Sequence, residues 1–123
     1  MNAPLAHGFI LITILLGLYG QVVLKWQVSQ ASAVPSDIVG KLGFVFGMLT
    51  NPWVLSSLAA AFLGMLTWML ALTKLDLSYA YPFTSLSFVL VFIASAVFFH
   101  EPVSATKLIG MALIVAGLVV GSR

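Results

Sequence analysis

Gly17, Gln21 and Lys25 recur every four residues, so on a helix they fall along one stripe, with Gly20 beside it. The glycines admit a ligand or a second helix close to the backbone, Gln21 brings an amide, and Lys25 brings a cation. Such a polar track suits an anionic group such as a phosphate, since polar side chains at membrane depth are costly and mark functional sites. Without a ligand, Gln21 would bond a neighbouring helix and Lys25 would extend to lipid headgroups. A second patch lies at Tyr81-Pro82-Phe83-Thr84-Ser85. On a helix Tyr81, Thr84, Ser85 and Phe88 share a face, and Pro82 removes one backbone donor. A break of this kind is tolerated where it lines a cavity or where Ser and Thr hydroxyls bond the freed carbonyls. Trp68, about a turn and a half before Lys74, suits a cavity wall or an interfacial anchor. The candidate substrate-binding residues are therefore Gln21, Lys25, Trp68, Tyr81, Thr84 and Ser85.

Other chemistries are poorly supplied. There are no cysteines, only two widely separated histidines and three carboxylates, so neither a metal site nor a catalytic centre nor a cofactor is expected. His100-Glu101 is the one adjacent imidazole–acid pair, and before Pro102 at a helix end it reads as a solvated charge. The net charge of +2 comes from scattered single residues, so no nucleic-acid partner is expected.

The elements that must hold these residues follow from composition. Of 123 residues 62% are apolar and 7% charged, far from the roughly 25% charge of a soluble domain. A soluble domain this small leaves roughly a third or more of its surface exposed and has nowhere to hide so much apolar surface. The chain reads as an all-α integral membrane protein, one domain over residues 1–123, with membrane lipids as its surroundings. Charges punctuate it at Lys25, Asp37, Lys41, Lys74, Asp76, Glu101, Lys107 and Arg123. The uncharged runs between them predict four transmembrane helices, at about 5–27, 52–73, 77–99 and 104–121, and a short interfacial helix at about 37–50. Asn51-Pro52 starts the second span and Ser104 caps the fourth. The runs are apolar on both parities, which excludes barrel strands. Ala31-Ser32-Ala33 resembles a signal-peptidase site, but no Lys or Arg precedes the first apolar run and the run is too long, so a retained span is expected. With four spans, Lys74 and Arg123 share one side and Lys25, Lys41 and Lys107 the other, a balance that leaves orientation open.

Small residues mark packing faces. Ser57, Ala60, Ala61 and Gly64 lie three or four apart in the second span, and Gly110, Gly117 and Gly121 form a seam on the fourth. The seam suits close packing within the bundle or across a dimer.

Leu75–Val120 resembles the last two helices of four-helix members of the drug/metabolite transporter superfamily. The resemblance rests on Ala80-Tyr81, a Glu101-Pro102 turn, and Ile109-Gly110-Met111 through Ala116-Gly117, with Gly20–Lys25 and Asn51–Leu55 in accord. The small multidrug resistance branch is similar in size, and its members couple cation export to proton entry through a Glu in the first helix. Aligned on Lys25, Gly17 stands at that position, and no carboxylate lies inside any expected span. The pattern Gly20-Gln21, Lys25, Ala80-Tyr81-Pro82, Ser85-Leu86 and His100-Glu101-Pro102-Val103-Ser104 is closer to the small subunits of the aminoarabinose-phosphoundecaprenol flippase.

That resemblance implies a bacterial inner-membrane transporter, not an enzyme, moving a polyprenyl-phosphate-linked sugar or similar amphipathic phosphate as a homodimer or with a similar small subunit. Lys25 would meet the phosphate, Gln21 the phosphate or sugar oxygens, Tyr81, Thr84 and Ser85 would complete the path, and Trp68 would form a wall. The alternatives are an exporter of cationic drugs or metabolites, and a subunit that only assembles with another membrane protein.

Overall fold

The computed structural model describes every residue except Met1 and Ser32, so the Ala31-Ser32-Ala33 reading falls outside the described residues. Every regular element among the described residues is helical. Helix α1 runs Ala3–Gln30, α2 Ile38–Met48 and α3 Pro52–Leu72. Then come α4 at Leu77–Ala80, a 3-10 segment at Tyr81–Ser85, α5 at Leu86–Phe98 and α6 at Ala105–Gly121.

Short polar caps begin most of them. Asn2 Oδ1 accepts from the Leu5 amide at 3.0 Å, which starts α1 earlier than the apolar run implies. At 28 residues, α1 rises about 42 Å and outreaches a hydrocarbon core of about 30 Å, so its ends lie among headgroups. Asp37 caps α2 through the Gly40 amide, and Asn51 caps α3 through the Trp53 amide with Pro52 in the first turn. Ser104 caps α6, its hydroxyl accepting from the Lys107 amide at 3.2 Å.

The third apolar run is not one helix type. Pro82 lacks the N–H that would bond the Ser78 carbonyl, and there the chain tightens into the 3-10 segment before resuming as α5. Thr84 Oγ1 donates to the Tyr81 carbonyl and Ser87 Oγ to the Thr84 carbonyl, each at 2.6 Å, so both hydroxyls bond backbone next to the break.

α1 and α3 form the centre of the molecule. The buried face of α3 is Val54, Ser57, Ala60, Gly64 and Ala71, one stripe of mostly small side chains. A Cβ at Gly20 would stand 3.4 Å from the Ser57 carbonyl oxygen, so a larger side chain there would wedge the two backbones apart. Thr13 Oγ1 lies 2.6 Å from Thr67 Oγ1 and 3.2 Å from the Gly64 carbonyl, which links α1 to α3 at membrane depth. At one end Gln27 accepts from Asn51 Nδ2 at 2.8 Å, and Trp26 meets Trp53 edge to face. α5 packs on α1, whereas α6 meets only α5 and the 3-10 segment to any extent.

The outer surface is apolar. Phe62, Leu113 and Val120 are each more than half exposed, an arrangement stable in lipid rather than in water. Three stretches, Ala3–Gln30, Pro52–Leu72 and Leu77–Phe98, are long and apolar enough to cross a membrane. α6 is apolar but has 17 residues, or about 25 Å of rise. α2, with 11 residues and none buried, is too short to cross. The chain is a multi-pass membrane protein.

The Thr13–Thr67 contact should show coupling of about 0.5–1.5 kcal/mol, the range of interhelical hydrogen bonds in lipid. A double-mutant cycle of Thr13→Val and Thr67→Val, followed by unfolding in mixed micelles, measures it; strict additivity would make the contact energetically idle.

Candidate functional site

The polar residues singled out above fall at two levels, joined by a groove. At the end of α1, Gln21 and Lys25 line a cavity of about 210 Å³ with Val91, Ser95, Phe99 and Glu101. Lys25 Nζ stands 3.9 Å from Glu101 Oε1, the side chains being 55% and 40% exposed. A pair so long and so open to solvent is worth at most about 1 kcal/mol.

Glu101 reaches α1 because the chain reverses at His100, whose φ of 51° lies in the left-handed region. The Ser95 carbonyl accepts from both the Phe99 and Glu101 amides, at 3.1 and 3.2 Å, and so ends α5. A residue with a Cβ in that conformation costs about 1–2 kcal/mol, and such strain collects at functional sites. Behind Glu101 a second cavity of about 240 Å³ opens between α5 and α6. It shares Ser95 and Glu101 with the first and includes Lys107, whose Nζ donates to the Pro102 carbonyl at 3.1 Å.

The groove runs between α1 and α3 as two adjoining hollows of about 260 and 310 Å³, both touching Gly17 and Ala61. Its floor is glycine, alanine and Ser57; Leu16, Leu24 and Leu58 wall one half, and Met65 and Trp68 the other. Gln21 lines both this groove and the Lys25 cavity and so joins the two. From the level of Thr13 to Lys25 is 12 residues of α1, or about 18 Å.

At the far end Trp68 meets Tyr81 edge to face, with centroids 6.2 Å apart. Tyr81 itself is 63% exposed on the outer surface. Thr84 spends its hydroxyl on its own backbone, and Ser85 Oγ is buried without a hydrogen-bond partner. Gln21 and Lys25 line one cavity, Trp68 lines the far half of the groove that Gln21 also borders, and Tyr81, Thr84 and Ser85 line neither. The seam of Gly110, Gly117 and Gly121 is likewise not packed within the chain: a Cβ at any of them would meet nothing within 4 Å.

Sequence reasoning missed three groups. Glu101 was read as a solvated charge, and only the left-handed turn at His100 carries it to Lys25. Ser95, inside an apolar run, reaches two cavities. His7 Nδ1 lies 2.7 Å from the Ala3 carbonyl and must hold the proton there, which leaves a neutral ring's Nε2 to accept from Tyr79 OH at 3.0 Å. No sequence spacing signals that contact, which spans 72 positions. Among the described residues, no group of three or more His, Cys, Asp or Glu could hold a metal.

A lipid-exposed helical bundle with a laterally open apolar groove joined to a cavity that holds an amine has the form of a membrane transporter. The chain belongs to the EamA-like transporter family, whose model matches residues 5–123. It is 37% identical over 119 residues to a protein of Pseudomonas aeruginosa (strain UCBPP-PA14) named "Probable 4-amino-4-deoxy-L-arabinose-phosphoundecaprenol flippase subunit ArnE", covering 97% of this chain and 98% of that one. The protein of the same name in Pseudomonas syringae pv. syringae (strain B728a) is 37% identical over 92 residues, 75% of this chain and 82% of its own. That of Aeromonas hydrophila is 44% identical over 69 residues, 56% of this chain and 60% of its own. The earlier resemblance to the drug/metabolite transporter superfamily and its flippase subunits stands on these matches. No solved structure matches the chain.

The turn at His100 yields a direct check. His100→Gly should keep the fold at least as stable, whereas His100→Val, β-branched in a left-handed position, should lose about 1–2 kcal/mol. Thermal melting of helicity in detergent compares them, and equal melting of the two would remove the strain.

Proposed function

We propose that the chain is a subunit of a bacterial inner-membrane flippase for a polyprenyl-phosphate-linked sugar or a similar amphipathic phosphate. One observation carries this reading: the apolar groove between α1 and α3 reaches Gln21, which also lines the cavity that holds Lys25. A polyprenyl tail needs a long apolar channel open to lipid, its phosphate needs a cation, and the sugar needs amide or hydroxyl partners. Along α1 the apolar groove is followed by the amide of Gln21 and then by the amine of Lys25. No carboxylate is among the residues lining the apolar groove itself, and the one in the adjoining cavity, Glu101, already faces Lys25. The names of the relatives point to the same substrate class, with 4-amino-4-deoxy-L-arabinose as the sugar.

In this reading Lys25 holds the phosphate, Gln21 the phosphate or sugar oxygens, and Trp68 closes the far wall. Tyr81, Thr84 and Ser85 serve at the opposite surface, where Ser85 Oγ has a hydrogen bond to offer. α6 is a fourth crossing, its 17 residues being at the lower limit for hydrocarbon. The open glycine seam on α6 takes a facing helix, from a second copy or from a similar small subunit, since one thin bundle does not enclose its substrate. The relatives' designation as subunits fits this arrangement.

A charge-assisted contact to phosphate at a partly dehydrated site makes Lys25 indispensable. In proteoliposomes carrying a fluorescent polyprenyl-phosphate sugar, supplied with its partner subunit if one is needed, Lys25→Ala should slow translocation about ten-fold or more. Lys41→Ala, on the exposed α2, should leave it unchanged. Equal rates in the two variants would remove Lys25 from the mechanism. Gly117→Leu should abolish subunit pairing, read by cysteine-free chemical cross-linking, while leaving helicity intact; undiminished pairing would place the interface elsewhere.

A further inference from the structure

The amine that would hold a phosphate is already in contact with a carboxylate, and that carboxylate has a second place to go. Glu101 lies at the partition between two cavities. On one side it faces Lys25 at 3.9 Å. On the other it lines the α5–α6 cavity with Lys107, whose amine donates to the Pro102 carbonyl. The side chain sits just past the left-handed His100, so its backbone is firmly placed while its carboxylate is 40% exposed and free to choose a rotamer.

We propose that Glu101 is an internal stand-in for the substrate's phosphate: it occupies Lys25 when the groove is empty and transfers to Lys107 when a phosphate monoester or diester arrives. The exchange rests on the reading of Lys25 as the phosphate-binding amine. It answers a physical problem of that reading, since an unpaired ammonium beside a groove open to hydrocarbon is unfavourable, and a permanently paired one binds no substrate. With two amines and one carboxylate, an amine is available to the arriving anion and the carboxylate never stands alone. A long, half-exposed pair is the kind that a phosphate, able to accept several charge-assisted hydrogen bonds at once, displaces. Lys107 thereby becomes a positioning residue that never touches substrate.

This arrangement has a signature that neither a purely structural ion pair nor direct phosphate binding by Lys107 would produce. The chain, reconstituted in phosphatidylcholine nanodiscs, is titrated with undecaprenyl phosphate and, separately, with inorganic phosphate, binding being followed by phosphorus NMR. Glu101→Gln should tighten undecaprenyl phosphate roughly three- to ten-fold by removing the competitor. Lys107→Gln should weaken it by a similar factor in the otherwise natural chain but have no effect in the Glu101→Gln background. Inorganic phosphate should follow the same order at lower affinity if the head alone is recognised, and a response confined to it would overturn the lipid as the ligand. If Glu101→Gln leaves binding unchanged or weaker while Lys25→Ala still abolishes it, the exchange is wrong and the phosphate site survives. Should Lys107→Gln weaken binding equally in both backgrounds, Lys107 contacts the ligand and the transfer is wrong. If Lys25→Ala binds as well as the natural chain, the phosphate site itself fails. Melting of each variant in the same nanodiscs separates these effects from loss of fold, and Glu101→Ala provides a second removal of the carboxylate.

Discussion

The close approach of α1 and α3 is the contact on which the remaining structure depends. Lipid supplies little hydrophobic drive between helices, so association rests on packing and on hydrogen bonds across the interface. Ser57, Ala60, Gly64 and Ala71 on α3, with Gly20 on α1, let the backbones come near. Thr13 and Thr67 then tie them with a hydroxyl contact of 2.6 Å. α5 packs against α1 and α6 against α5, so α1 orders the others. The same small residues that permit contact leave the groove beside it, since a face of glycine and alanine packs tightly at its centre and stays hollow at its margin. Packing and groove are consequences of one choice of residue size.

A second constraint is that backbone groups in hydrocarbon must find partners within the protein. It bears on two irregularities among the described residues. Pro82 breaks the third run, and Thr84 and Ser87 bond the carbonyls around the break. His100 takes a left-handed conformation, and the Ser95 carbonyl gathers two amides there. The first repair uses hydroxyls that the sequence offered as candidate ligands. The second throws a carboxylate towards the lysine, and so couples the ending of a helix to the charge balance of the site.

Much of the architecture was legible beforehand because its signals are local. The Ser104 cap, the Pro52 start and the Pro82 break each follow from the chemistry of one or two residues and lie where expected, whereas the side-chain caps by Asp37 and Asn51 were not foreseen. Element limits were less secure, as α1 shows: its apolar run predicts a start near residue 5, but the Asn2 cap and Pro4 begin it at Ala3. The site was half legible. Gln21 and Lys25 share a stripe by helical period alone, and the structure keeps them on one cavity. Tyr81 and Thr84, three residues apart, stay on one side of the 3-10 turn, as they would on a helix. Glu101 went unrecognised because its partner lies 76 positions away, at a distance no periodicity spans.

From composition and periodicity alone came the solvent, the helical class and the identity of the amine, because hydropathy, caps and the 3.6-residue repeat act within a few residues of themselves. What those leave undetermined is which faces meet. A small residue reads alike whether it packs on a neighbour, as Gly20 does against Ser57, or faces open space, as Gly117 does. A charge reads alike whether water or a lysine answers it. Only the folded arrangement of α1 against α3 and α5 distinguishes these cases, since each is a property of two segments together. It made a groove of one small-residue stripe and left the other uncovered, and it turned Glu101 from a solvated end charge into the partner of Lys25.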